Sequence, residues 1–247
     1  MLNSISPPPN MLKLLQPKPE WRTLILANDS PRLALEFAPH VNQVNLVCPT
    51  TKQAQEVEKA AATVHLSNIV CDIGDPEFLP YDADTFDLVV SHHMAHTWYD
   101  TEEWLRNAGR ILRPRSMMAI VSYLVPGTRL RGKKARKLRE AADYLNALTQ
   151  LRNPRHQRYN SQNGWEDLLA DAGFDIQRWE TADVYFTFAQ WAGDAPLSRN
   201  DRLRLKAMII QAPEKAREFL TPQFSGDRIQ FRLPEITILA TSKANEN

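Results

Sequence analysis

The chain reads as an α/β protein built on a parallel sheet with crossover helices, and three observations predict it. Strand-like and helix-like segments alternate from Thr23 onward, the rhythm of β–α–β units. Capping signals mark several of the helical segments. A length of 247 residues with 43% hydrophobic content gives a core of the size expected for one α/β domain, or one domain with an insertion.

In chain order, a strand is expected over Thr23–Leu26 and a helix from Pro31, where Ser30 is a good N-cap and Pro31 a good first helical residue. A strand at Gln43–Val47, a helix at Lys52–Ala62 and strands at Ile69–Cys71 and Asp87–Ser91 follow. Thr101 ahead of Glu102 and Glu103 opens a helix to Leu112 that sets Leu105, Ala108, Ile111 and Leu112 on one face. After a strand at Met117–Tyr123, Ser161 opens a helix that holds Trp165, Leu168, Leu169 and Ala172 inside and stops at Gly173. Strand character returns at Asp175–Trp179 and Glu235–Ala240, with a helical stretch at Asn200–Gln211 between them.

Residues 1–20, with Pro7, Pro8, Pro9, Pro17 and Pro19, read as an extended arm broken by a short apolar helix at Met11–Leu15. Residues 21–247 form the domain. Thirty Lys and Arg against 29 Asp and Glu leave a net charge of +1, so no global field points to nucleic acid or an anionic membrane. Cys48 and Cys71 need not pair in a chain this size, and a cytoplasmic location is expected. The start MLNSISPPPNMLKLL has no basic segment followed by an apolar one, and no window approaches the roughly 18 apolar residues of a membrane span. Glycine is scarce: 8 residues, the first of them Gly74, against a usual share of about 7%.

The run GDPEFLPYDADTFDLVVSHHMAHTWYDTEEWLRNAGRILRPRSMMAIVSYL, Gly74 to Leu124, resembles the middle of class I S-adenosylmethionine (SAM) methyltransferases, above all the ubiquinone and menaquinone biosynthesis group. The Gly-Asp-x-x-x-Leu-Pro-aromatic element, the Phe-Asp-Leu-Val-Val strand and the helix ending Leu-Arg-Pro recur in order. Asn153-Pro154-Arg155-His156, Ala172-Gly173-Phe174 and Phe231-x-Leu-Pro-Glu235 are similar to that group's tail. The resemblance spans about residues 22–243. It implies a Rossmann-like class I methyltransferase fold: a mainly parallel sheet, helices on both faces, a C-terminal antiparallel strand pair, and a basic insertion at about 126–160 acting as a lid.

The resemblance also implies SAM as cofactor, with Asn28, Cys48, Asp75, Ser91 and His92 at cofactor positions and His156 and His96 as candidate bases. Asp75 falls where the family meets the adenine. The family's first loop runs Gly-x-Gly-x-Gly; Ala27, Asp29 and Pro31 stand at those positions. The second strand of the family ends in a carboxylate for both ribose hydroxyls, and that position is Cys48, a weak acceptor. Arg-Pro-Gly-Gly after the fifth helix is Arg113-Pro114-Arg115-Ser116. Three elements lost together argue against tight SAM binding, because a backbone that approaches a phosphate or ribose needs glycine.

His92, His93 and His96 have no Cys or carboxylate at ligand spacing, so no metal is expected. His156 suits either proton transfer or a structural hydrogen bond. Ten cations between Arg129 and Arg158 oppose Glu140 and Asp143; a solvated helix explains them, and an acidic partner or anionic substrate is the functional alternative. No RNA-binding motif accompanies them, which argues against nucleic acid. The sequence thus predicts a methyltransferase-family protein with a degenerate SAM site, a pseudoenzyme or repurposed fold binding a small apolar molecule or a partner. The alternative is an active SAM-dependent small-molecule methyltransferase with an unusual cofactor pocket.

Overall fold

The computed structural model describes residues 11–27, 30–193 and 195–243. The first ten residues of the proline-rich start, together with Asn28 and Asp29 of the first loop, lie outside the described residues.

The alternation seen in the sequence is realised as β1 (Arg22–Ala27), α2 (Ser30–Phe37), β2 (Gln43–Cys48), α3 (Thr51–Thr63), β3 (Ile69–Ile73), β4 (Phe86–His92), α4 (Thr101–Ile111) and β5 (Leu112–Tyr123), preceded by the short α1 (Met11–Leu15). Each strand through β4 follows its expected position to within a residue or two. The helix starts are chemically marked. Thr50 Oγ1 accepts from the Gln53 N–H (3.3 Å) at α3, and Asp100 Oδ1 accepts from the Glu103 N–H (2.9 Å) at α4, each satisfying a first-turn donor. The later elements are α5 (Lys133–Arg152), α6 (Gln162–Asp171), β6 (Phe174–Thr187), α7 (Phe188–Gly193), α8 (Arg199–Ile210), α9 (Glu214–Leu220), β7 (Gln223–Ser225) and β8 (Arg228–Ser242).

The strands run in the order β3-β2-β1-β4-β5-β8-β6, with β7 added to β8. β1 pairs in parallel with β2 and with β4, β2 with β3, and β4 with β5. β7 is antiparallel to β8, with Gln223 opposite Gln230, across a turn in which Gly226 takes φ +56°. This is the Rossmann-like order with an antiparallel C-terminal end that the resemblance implied.

By internal packing the chain divides into two compact units. Among the described residues, one takes in those up to Val121, Leu168–Trp179 and those from Thr237; the other takes in Ser122–Asp167 and those between Glu180 and Ile236. In the first, Ile25, Val44, Leu46, Leu88, Val90, Ala119 and Val121 pack beneath Leu33, Phe37, Ala54 and Val57, and Met11 and Leu15 of α1 are buried in the same core. In the second, Leu145 and Leu148 of α5, Leu205 and Ile209 of α8 and Leu220 of α9 surround Tyr123, Tyr159, Trp191 and Phe231.

Three elements are longer than the sequence suggested. β5 begins at Leu112, five residues ahead of the expected Met117, and its register against β4 shifts between Phe86 and Leu88. β6 continues to Thr187 and β8 starts at Arg228. In β6 most side chains beyond Asp175 are exposed, so charged residues occupy positions where alternation would otherwise announce a strand. The basic segment that precedes and opens α5 is exposed throughout from Arg129 to Arg139 apart from Ala135 and Leu138. Its buried side is supplied by small and aliphatic residues: Ala135, Ala141, Ala142, Leu145 and Leu148.

One glycine in the second unit is fixed by space. A Cβ on Gly127 would fall 2.2 Å from Ser161 Cβ, while Ser161 Oγ accepts from the Gly164 N–H at 3.2 Å and caps α6. Gly127→Ala should therefore displace the cap as well as overpack the site. A loss of about 1–3 kcal/mol is expected, read as a lower urea midpoint; an unchanged midpoint would refute the clash.

Candidate functional site

In open parallel sheets ligands sit beyond the carboxyl ends of the strands where the strand order reverses. Here that point lies between β1 and β4. The register sets Ala27, the last residue of β1, beside His92 at the end of β4. Cys48, the last residue of β2, lies beside Ile73, and the Gly74 N–H donates to the Cys48 carbonyl at 3.1 Å. Cys48, Asp75, Ser91 and His92 are thus brought to one end of one compact unit. Asn28 lies outside the described residues.

At the end of β2, Cys48 is 3% exposed. Its thiol shares a hydrogen bond with Cys71 of β3, which lowers the Cys48 pKa and, with burial, raises that of Cys71. Asp72 points elsewhere: it accepts from the Tyr81 hydroxyl (2.7 Å) and from Asn45 Nδ2 (3.1 Å). Asp75 is exposed. Its Oδ1 accepts from the Glu77 N–H at 2.9 Å, and its carbonyl accepts from the Phe78 N–H at 2.9 Å. Glu77 in turn accepts from the Tyr99 N–H, and Trp104 Nε1 donates to the Pro76 carbonyl at 3.2 Å while stacking on Trp98 at 3.7 Å. These bonds tie the loop after β3 to the loop after β4. They leave Ile73, Phe78 and Tyr99 projecting, 60%, 72% and 87% exposed.

The end of β4 holds polar atoms that the protein does not satisfy. Ser91 Oγ, His92 Nε2 and Trp98 Nε1 are buried with no hydrogen-bond partner. Buried polar groups are paired in the great majority of cases, so each of these calls for a water or a ligand. Ser91 and His92 are consecutive in the strand and so face opposite sides of the sheet. The His92 ring meets His93 edge-on at 4.5 Å, and burial, His93 and Arg32 lower its pKa to about 3. His96 is buried in the short turn Ala95–Thr97. Among the described residues no group of three His, Cys, Asp or Glu is placed to hold a metal.

His156 belongs to the second unit, where it is fully buried. Its Nε2 lies 2.9 Å from Asn146 Oδ1, which also accepts from the Tyr159 N–H at 2.7 Å. Burial lowers its pKa to about 4. No local sequence pattern marks the unsatisfied Trp98 indole, whereas the backbone of Arg115 had a signal, since the family has glycine at that position. Arg115 takes φ +63°, a conformation that glycine adopts freely and arginine does not.

Two predictions follow from this geometry. Folded His92 and His156 titrate near 3 and 4 against 6.5 for the free side chain. The unfolded chain therefore binds more protons below pH 6.5. The stability contributed by the neutral, buried rings is complete above that pH and is lost as pH falls toward 4, on the order of 3 kcal/mol for each histidine. Urea unfolding followed from pH 7 to pH 4 should show this slope, and His156→Gln should flatten part of it; a flat wild-type profile would contradict the burial. Arg115→Gly should stabilise the protein by less than about 1 kcal/mol, since the left-handed backbone costs a side chain about 1–2 kcal/mol and glycine's unfolded-state entropy returns part of it. A loss of stability would show that the Arg115 side chain is needed.

The methyltransferase domain family matches residues 30–120. An uncharacterized methyltransferase of Bacillus subtilis (strain 168), YcgJ, is 24% identical over 233 residues, covering 92% of this chain and 87% of the relative. The crystal structure of the Bacillus subtilis YcgJ protein superposes with a TM-score of 0.85 at 21% identity, covering 95% of this chain and 97% of the other. A putative methyltransferase from Bacillus halodurans C-125 gives 0.83 at 19% identity, with 95% and 99% covered. Strand order, the placement of Asp75 and Ser91 at the strand ends, and similarity running through most of the length agree: the chain has the fold of class I SAM-dependent methyltransferases and is similar to methyltransferases, with a methyltransferase domain match over residues 30–120.

Proposed function

We propose that this methyltransferase-fold protein has a degenerate SAM site and serves as a pseudoenzyme or repurposed fold that binds a small apolar molecule. The observation that carries the reading is Cys48. SAM offers two ribose hydroxyls as donors where the resemblance places a carboxylate. The residue there is a buried thiol, a weak acceptor already engaged with Cys71. Loss of a charged acceptor costs roughly 1.5–3 kcal/mol, one to two decades of affinity. Arg115 adds to it: its backbone holds a glycine-like conformation, but a side chain now rises from it. The residues present do not fit SAM.

What the site offers instead is an apolar rim with a few polar anchors. Ile73, Phe78 and Tyr99 project from the strand end and loops that border Asp75, and the cross-bonds between those loops hold the rim in place. Ser91 Oγ and His92 Nε2 lack protein partners on the two sides of β4. Apolar walls with a small number of placed polar groups are the usual composition of small-molecule sites.

One observation favours the second reading, an active methyltransferase with an unusual pocket. Asp75 is exposed, its carboxylate engages the Glu77 N–H through one oxygen, and the other is available to an adenine amino group. On that reading His96 or His156 is the base, although His156 is buried and bonded to Asn146.

Calorimetric titration with SAM and S-adenosylhomocysteine separates the two. No binding below about millimolar is expected, the level at which only about 4 kcal/mol of contact energy survives. A micromolar isotherm abolished by Asp75→Ala would overturn the proposal and establish the methyltransferase reading. A micromolar isotherm unchanged in Asp75→Ala would overturn the proposal and place the cofactor elsewhere in the fold.

A further inference from the structure

α8 has apolar residues on two sides. Leu205 and Ile209 are fully buried in the core of the second unit, and the Met208 carbonyl accepts from the Tyr144 hydroxyl of α5 at 2.8 Å. On the other side Leu203 is 57% and Ile210 41% exposed, with exposed Ala207 between them. Spaced i, i+4 and i+7, these three form one stripe along the helix. A helix packed on one side ordinarily turns a polar face to water; here the centre of the outward face is aliphatic.

The flanks of that stripe are cationic. At 3.6 residues per turn, Arg199 and Lys206 border it on one side and Arg204 on the other, with Arg202 beyond Lys206. These four cations face a single carboxylate within the helix, Asp201, which accepts from the Ser198 hydroxyl at 2.7 Å and lies 3.5 Å from Arg204. Arg217 of α9 donates to the Ile210 carbonyl at 2.7 Å and brings a fifth cation to the end of the stripe. The whole chain carries a net charge of only +1, so the surplus is local. In the same unit Leu130 is 73% exposed between Arg129 and Arg131, ahead of exposed Lys133 and Lys134.

We propose that the outward face of α8 docks on an anionic lipid surface, Leu203, Ala207 and Ile210 entering the acyl boundary while Arg199, Arg204 and Lys206 meet the headgroup phosphates. Aliphatic centre and basic flanks are the pattern of helices that lie in a membrane interface. Each cation near such a surface adds attraction that salt screens. A second copy of the chain does not fit, because a two-fold contact on α8 would press the cations of both copies together. Three modest side chains also fall short of the roughly 800 Å² per partner of a stable interface. No helix among the described residues is long and apolar enough to cross a membrane, so the contact is peripheral.

Sedimentation of the full chain with vesicles tests this. Binding is expected to vesicles of phosphatidylcholine with phosphatidylglycerol and not to phosphatidylcholine alone, and it should fall as salt is raised. The pair Leu203→Ser and Ile210→Ser should weaken it about tenfold, and Arg199→Glu with Arg204→Glu and Lys206→Glu should abolish it. All these residues are exposed or half-exposed, so the melting temperature should stay unchanged. Absence of binding to anionic vesicles, or equal binding to neutral ones, overturns the proposal. So does vesicle binding untouched by the α8 variants but abolished by Lys133→Glu with Lys134→Glu, which would assign it to α5. A concentration-dependent doubling of mass removed by Leu203→Ser would assign the stripe to self-association and overturn it equally.

Discussion

The parallel pairing of β1 with β4 is the constraint on which the rest depends. β1 and β4 are far apart in sequence, and their register from Thr23 opposite Leu88 to Ala27 opposite His92 forces the chain to run outward through β2 and β3 and return to the centre of the sheet. Both strands are covered on both sides, so they read as nearly unbroken apolar runs. A slip of one residue would turn the core face of β4 toward the wrong layer. With that register set, the carboxyl ends of β1, β2, β3 and β4 align, and every candidate cofactor position follows without further instruction. The site is a consequence of pairing, and its chemistry is then decided by whichever side chains the strand ends carry.

Those side chains divide into groups that still answer to a ligand and groups that answer to each other. Ser91 and His92 are buried without protein partners, which the fold tolerates at a measurable cost. Cys48 and Asp72 have been drawn into local bonds: the thiol to Cys71, the carboxylate to Tyr81 and Asn45. Asp72 closes a further network, since Arg22 Nε donates to Asn45 Oδ1 at 3.1 Å. The β2–β3 side of the site is therefore self-satisfied, whereas the β4 side is not. A dinucleotide-like ligand spanning both would find acceptors at one end only. A shorter ligand seated against one face of β4 and the loop aromatics needs no partner on the β2–β3 side.

The core of the parallel sheet was legible in the sequence because burial on both faces leaves a compact apolar signature, and β1, β2 and β4 appear within a residue of where that signature puts them. Helix starts were legible where a cap is written in one residue, as at Ser161; at α4 the sequence marked Thr101, and the cap is its neighbour Asp100. The outer strands were not. β6 is an end strand of the sheet whose outer half is mostly exposed, so its sequence carries charges at alternating and non-alternating positions alike. The β7–β8 hairpin had a signal, Gly226-Asp227 between short apolar stretches, but three-residue β7 is too short for periodicity to register. The placement of Cys48 and Asp75 was legible through order along the chain. The Cys48–Cys71 bond and the unpaired Trp98 indole are products of packing between distant segments, and no local pattern encodes them.

The same division explains why the fold can outlast the loop that the family uses for its cofactor. A glycine turn is needed only while a ligand must come close to the backbone; the pairing of β1, the burial of Ile25 and the packing of Leu33 and Phe37 from α2 are indifferent to it. Arg115 shows the opposite case at a second position, where the backbone holds a left-handed conformation although the residue is not glycine. The difference is connectivity. Arg115 lies in β5 at the point where the register against β4 shifts, so relaxing its φ would move a central strand of the core. A site can therefore be rewritten at its loops without penalty to the sheet, whereas a conformation embedded in the sheet persists as strain.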